Sequence, residues 1–220
     1  MKDTERRNPT LAKTTTRPKD KEGLLVCVSG PSGVGKGTVI AKVRERMPFV
    51  HHSVSVTTRP KRPDEVEGVS YFFRTEKEFK EMIERDEILE YDIYLGNYYG
   101  TPLPPLLERI ERGQDVLFDL TVPGSISLMN HFKTAVTIFL LPPTVDHLRA
   151  RLEARGTESR EIMDRRIHQA SLEIPQAALF EYVIINEDVD RAAGQILTII
   201  EAEKLRYIRQ LDVEKDILLK

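Results

Sequence analysis

Nine consecutive residues, Gly30-Pro31-Ser32-Gly33-Val34-Gly35-Lys36-Gly37-Thr38, carry the Gly-x4-Gly-Lys spacing of a phosphate-binding P-loop. Glycines allow the backbone to turn successive N–H groups inward onto an anion, and the helix that follows adds the positive end of its dipole. Lys36 is then placed to reach the outer phosphates of a nucleotide. Gly37 stands where the strict pattern has Ser or Thr, so the loop offers no hydroxyl to a metal at that position. A second chemical residue, Asp119, closes the apolar run Val116-Leu117-Phe118. The carboxyl end of such a strand is where a P-loop protein places its metal-side acid, and we assign Asp119 to Mg2+ through bound water. The five histidines, including the pair His51-His52, lack metal-ligand spacing and read as surface or packing residues. Cys27, the single cysteine, sits in an apolar run and reads as a small buried hydrophobe.

A phosphate loop needs a buried strand before it and a helix behind it. Leu24 to Val28 is a continuous apolar run that suits a strand buried on both faces, and a helix is expected from Lys36 to about Met47. Similar runs recur at Val116 to Phe118, Val136 to Leu141 and Tyr182 to Ile185. Helical patterns fall at about 76–85, 103–112, 144–154, 160–174 and 189–209. This alternation predicts an α/β fold, a parallel sheet with helices on both faces and ligands at the carboxyl ends of its strands. Residues from about 50 to 101 break the rhythm with alternating segments, Pro60, Pro63, several glycines and most of the tyrosines. They are expected to form an inserted, mixed β subdomain.

Residues 1–22 hold one sizeable aliphatic residue after Met1, Leu11, and no periodicity, so a disordered, solvated tail is expected there. Residues 209–220 form a charged C-terminal extension. The 220 residues are 40% hydrophobic, enough for one folded unit with a sizeable core. With 33 Lys+Arg against 35 Asp+Glu, the net charge of −2 gives no field of one sign, and no nucleic-acid partner is expected. No apolar stretch approaches the roughly 18 residues that span a bilayer, and the charged N-terminus lacks a signal sequence. A lone cysteine fits a reducing compartment, so a cytoplasmic protein without a membrane partner is expected.

At Ser55-Val56-Thr57-Thr58-Arg59-Pro60-Lys61-Arg62, and again at Glu67-Gly68-Val69-Ser70-Tyr71-Phe72-Phe73, the chain resembles the guanylate kinases. Glu90, Gly96-Asn97-Tyr98-Tyr99-Gly100-Thr101, Arg151 to Glu158 and Phe180 to Asn186 extend the resemblance, which covers about residues 23–208. It implies a P-loop core of five parallel strands (23–49 and 102–208), a GMP-binding insertion (about 50–101) and a short lid (about 155–165). It further implies phosphoryl transfer from ATP to GMP, and to dGMP, with Mg2+, in purine nucleotide metabolism. The attacking phosphate oxygen is already anionic, so such chemistry needs positioned cations rather than a general base.

By that resemblance Arg59 and Arg62, with Ser55 and Tyr71, clamp the monophosphate, and a guanidinium fork suits phosphate oxygens. Arg155 and Arg166, with Arg151 beside them, resemble lid arginines that swing onto the ATP phosphates. Arg165 and Arg166 point about 100° apart on a helix, so one of them faces the site, and the family spacing selects Arg166. Glu90 resembles the carboxylate that takes guanine N1–H and N2–H, with Ser55 and Thr101 as donors to O6. Tyr99 either holds the phosphate or shapes the pocket. Asn186 resembles an adenine-side contact, and equally suits a turn. The chain departs from the family at Gly37, at Asp64 in place of glycine, at Thr121 in place of an acid and at Pro123 in place of glutamine. Two other readings stay open: a kinase for a different phosphorylated acceptor, and a non-catalytic module that binds phosphopeptides. Oligomeric state is not legible.

Overall fold

Strand β1 (Leu25–Ser29) is buried along its whole length because both of its edges and both of its faces are covered. The computed structural model describes residues 23–94, 96–154, 160–210 and 212–219, so the expected tail 1–22 lies outside the described residues. β1 pairs in parallel with β7 (Val116–Asp119) on one side and β8 (Val136–Leu141) on the other. β9 (Tyr182–Ile185) extends the sheet beyond β8, and β2 (His51–His52) beyond β7, giving five parallel strands in the order β2-β7-β1-β8-β9. β2 is the strand that the periodicity does not announce, since it is two polar residues long. It belongs to the main sheet rather than to the inserted one.

The two faces of the sheet carry separate apolar clusters. Val26, Val28, Ile138 and Leu140 pack with Val39, Ile40 and Val43 of α1 (Lys36–Arg46) and with Ile196 and Ile200 of α7 (Val189–Lys204). Leu25, Cys27 and Phe118 pack with Leu106 of α3 (Leu103–Glu111) and Leu128 of α4 (Val122–His131). Each such buried side chain contributes roughly 1.5–3 kcal/mol of transfer free energy. The helix α4 is absent from the apolar pattern. Thr121 caps it, its Oγ1 accepting the Gly124 N–H at 3.3 Å, and Pro123 falls in the first turn, where its missing N–H has no intrahelical partner to lose.

The insertion folds as a mixed sheet in the order β4-β3-β6-β5, from β3 (Val56–Thr57), β4 (Phe72–Phe73), β5 (Ile88–Tyr94) and β6 (Asn97–Pro102). Its outer face packs on Phe79 of α2 (Glu76–Glu84), whose ring lies 6.1 Å from Tyr91 and 5.2 Å from Tyr98. After β8 come α5 (Val145–Ala154) and α6 (Arg160–Glu173). Residues 155–159 of the expected lid lie outside the described residues, and 160–165 belong to α6. The expected helix 189–209 is interrupted: α7 stops at Lys204, a single 3-10 turn covers Tyr207–Arg209, and α8 (Val213–Leu218) follows. Among the described residues no helix is long and apolar enough to cross a membrane.

Candidate active site

The phosphate loop runs from the end of β1 into α1, and its three glycines with positive φ explain its shape. Gly30, Gly33 and Gly35 have φ of 146°, 86° and 98°. A Cβ on Gly30 would lie 2.4 Å from the Leu140 carbonyl oxygen, and one on Gly35 2.8 Å from Asn186 Nδ2. Lys36 Nζ donates to the Gly30 carbonyl at 2.8 Å, which folds the ammonium back over the loop. Val34 fills the underside, fully buried, and its carbonyl accepts from Asn186 Nδ2 at 2.8 Å and from Arg151 Nη1 at 2.9 Å. Arg151 Nη2 also donates to the Asn186 carbonyl at 2.7 Å. Arg166 reaches the loop from α6, its Nη2 donating to Ser32 Oγ at 2.8 Å, while Arg165 pairs with Glu161 in solvent. Glu173 Oε2 meets the Ser32 N–H at 3.4 Å. Gly37 and Thr38 are exposed on the first turn of α1. Arg155 lies outside the described residues.

A cavity of about 320 Å3 lies between this loop and the inserted sheet. Lys36 and Asp119 line it from the main sheet, and Ser55, Arg59, Arg62, Tyr71, Glu90 and Tyr99 from the insertion. Arg59 is fixed by Glu65 through two parallel bonds, Nη2 to Oε1 at 2.6 Å and Nη1 to Oε2 at 3.0 Å. Glu65 Oε2 also accepts the Arg62 backbone N–H at 2.9 Å, and the Arg59 guanidinium lies 5.4 Å from the Tyr71 ring centre. The bonds from Arg59 hold the Glu65 carboxyl below the usual carboxylate range. Burial, followed by the charge of Asp119, pushes the Tyr71 phenol up, so it remains a neutral donor.

Glu90 is buried, at 8% exposure, and Thr101 Oγ1 donates to its Oε1 at 2.6 Å. Thr101 therefore holds the carboxylate in place rather than turning its hydroxyl toward a base. Burial, then the charge of Asp92, raises the Glu90 carboxyl above its ordinary value. Its other oxygen lies against Gly124 at the start of α4, where a Cβ would stand 2.6 Å from Oε2. Cys27 is fully buried with its thiol pushed up to about 12 by burial, and it contacts Ser125 Oγ at 3.2 Å. It has no part in the site.

Three contributors escape the sequence reading. Glu65 is six residues from Arg59 inside the signature segment, and that opposite-charge spacing was the available signal. Asp92 repeats the acid of Glu90 two residues on, the spacing that puts side chains on one face of a strand. Gly124 matters only through its proximity to Glu90, which no local pattern encodes. For the metal, no group of three His, Cys, Asp or Glu able to hold an ion occurs among the described residues. Asp119 lines the cavity together with Lys36, so its carboxylate is the one that would meet a metal carried on nucleotide phosphates.

Comparison with known proteins gives a consistent result. The family model "Guanylate kinase" matches residues 22–203. The guanylate kinase of Oceanobacillus iheyensis is 42% identical over 198 residues, 90% of this chain and 96% of its own. That of Lactococcus lactis subsp. lactis is 44% identical over 192 residues, 87% of this chain and 94% of its own. The crystal structure of guanylate kinase from Anaplasma phagocytophilum superimposes with a TM-score of 0.74 at 31% identity, over 89% of this chain and 93% of that one.

Proposed function

The chain belongs to the guanylate kinase family, and from that premise we propose that it transfers the γ-phosphoryl group of ATP to GMP, giving ADP and GDP. The observation that carries this reading is the shared cavity. Lys36 and Asp119 enter it from the phosphate-loop side, and a guanidinium clamp and a buried carboxylate enter it from the inserted sheet. A kinase joining two phosphorylated substrates needs both halves to face one another.

On the ATP side, the loop glycines turn backbone N–H groups onto the phosphates, and Lys36 exchanges its bond to the Gly30 carbonyl for the β and γ oxygens. Arg166 and the lid arginine Arg155 add charge where the phosphoryl group passes. Arg151 and Asn186 brace the loop from beneath through Val34. Asp119 would hold Mg2+ through bound water, and the ion would supply charge neutralisation on the phosphates.

On the acceptor side, Arg59, Arg62, Ser55 and Tyr71 hold the GMP phosphate, with Tyr99 beside Arg59. Glu90 accepts from the guanine N1–H and amino group, and the buried carboxylate is left unsatisfied by adenine, which lacks those donors. dGMP shares the guanine edge and is accepted as well. The reaction is one of purine nucleotide metabolism, and the single, buried cysteine Cys27 supports a cytoplasmic setting.

The test is ADP release with ATP and Mg2+, offering GMP, dGMP, AMP, CMP and UMP separately to the protein and to Lys36→Ala. Release with the guanine nucleotides, reduced about a hundredfold or more in the variant, is the expected result. Release with none of the five overturns the reading.

A further inference from the structure

β5 turns two carboxylates, Glu90 and Asp92, toward the same cavity, and the reading above employs only the first. Residues two apart on a strand share a face, about 7 Å apart along the chain. The intervening Tyr91 and the following Ile93 point the other way, at 48% and 54% exposure, and the Tyr91 ring packs on Phe79 at 6.1 Å. The register sets Thr101 opposite Glu90 and Tyr99 opposite Asp92. Both acids and both hydroxyl residues therefore stand on the cavity face. Asp92 Oδ1 accepts the Ile93 N–H at 2.7 Å, and its Oδ2 has no partner among the described residues.

Two like charges on one face oppose each other's ionisation, and Asp92 raises the Glu90 carboxyl further than burial alone. A donor-rich group between them relieves that repulsion. The edge of guanine carries three N–H donors, one on the ring and two on the exocyclic amine. A single carboxylate facing that edge takes the ring N–H and one amino N–H, which leaves the third without an acceptor. The other carboxylate that the insertion turns to the cavity, Glu65, is engaged by Arg59 and the Arg62 N–H. Asp119 enters the cavity from the main sheet, as Lys36 does.

We propose that Asp92 is a specificity-determining residue that accepts the second amino N–H of guanine, so that β5 reads the whole donor edge of the base with two carboxylates. The inference rests on the GMP reading above. It predicts discrimination against a purine nucleotide that has the ring N–H and lacks the amine.

The experiment measures kcat/KM for GMP, dGMP and inosine monophosphate in the wild type, Asp92→Ala and Asp92→Asn. Each ratio is taken on one protein preparation, so any loss of folded protein cancels. In Asp92→Ala the ratio of GMP to inosine monophosphate falls about tenfold, as for loss of a hydrogen bond to a charged acceptor at a half-exposed site. In Asp92→Asn, whose amide oxygen still accepts, it falls less. A ratio unchanged in Asp92→Ala overturns the proposal, and a fall in the GMP-to-dGMP ratio in its place reassigns Asp92 to the ribose. A wild type that phosphorylates neither guanine nucleotide overturns the GMP reading along with it. GMP turnover with a flat ratio overturns the role of Asp92 alone.

Discussion

Replacing Gly124 with alanine should separate stability from base recognition. Gly124 lies in the first turn of α4, where alanine is favoured over glycine by about 0.5–1 kcal/mol. The added methyl would stand 2.6 Å from Glu90 Oε2 and 3.1 Å from its Cδ. An ordinary carbon–oxygen contact is about 3.3 Å, so the carboxylate must withdraw by about 0.7 Å. Glu90 is the far end of a flexible side chain, and turning it aside is easier than moving β5. The fold therefore keeps or slightly raises its Tm while the guanine-reading oxygen leaves its place. Misplacement on that scale costs up to about a hundredfold in rate, so kcat/KM for GMP should fall ten- to a hundredfold, with KM for ATP little changed. Steady-state kinetics with each substrate varied, beside a thermal melt, measure both effects. Wild-type kcat/KM for GMP in Gly124→Ala would refute the argument, and so would a Tm lowered by several degrees, because then the backbone and not the carboxylate has yielded.

Glu90→Gln should lose the preference for GMP over AMP and also change the pH dependence of stability. Because the folded state holds the Glu90 carboxyl above its usual value, the folded protein keeps a proton that the unfolded chain releases, and stability falls as pH rises through that window. Glutamine lacks this loss, so the variant melts above the wild type at pH 7, and the two converge below about pH 4; parallel melting curves at both pH values would count against it. Arg59→Lys keeps the charge and loses the paired bonds to Glu65, at 2.6 and 3.0 Å, so KM for GMP should rise about tenfold or more while KM for ATP holds. Equal effects on both substrates would show a general disturbance instead. Asn186→Ala removes the donor to the Val34 carbonyl together with a buried Oδ1 that has no partner among the described residues, so Tm changes little and KM for ATP rises about two- to tenfold. A rise confined to GMP would disprove the bracing role.

The parts of the molecule legible in the sequence are those coded by local pattern. The strand-loop-helix unit at 24–47 is one, because continuous apolar runs and helical spacing need no distant partner to be read. The strand β2 was illegible because His51 and His52 become a strand only by pairing with β7, more than sixty residues on. The helix α4 was hidden by Pro123, Gly124 and two serines, which blur the apolar period that its Thr121 cap and packing nonetheless enforce. The site divides in the same way. Lys36, Arg59 and Glu90 stand in recognisable segments, whereas the bonds that restrain them come from across space. Thr101 on Glu90 and Asn186 under Val34 were each legible as polar residues but not as supports.

The contact of Glu90 with Gly124 bears on how far this fold can be taken apart. Glu90 belongs to the inserted sheet and Gly124 to a helix of the main one, with β5 and α4 in direct contact. Preference for a base is thus a property of the seam rather than of either piece. Grafting residues 53–102 onto another kinase core would carry the phosphate clamp, since Ser55, Arg59, Arg62 and Tyr71, with Glu65 behind Arg59, all lie within it. It would leave behind the surface that aims the base-reading carboxylate. A chimera built at that boundary should still bind nucleoside monophosphates and lose its choice among them, unless the first turn of α4 is transplanted with the insert.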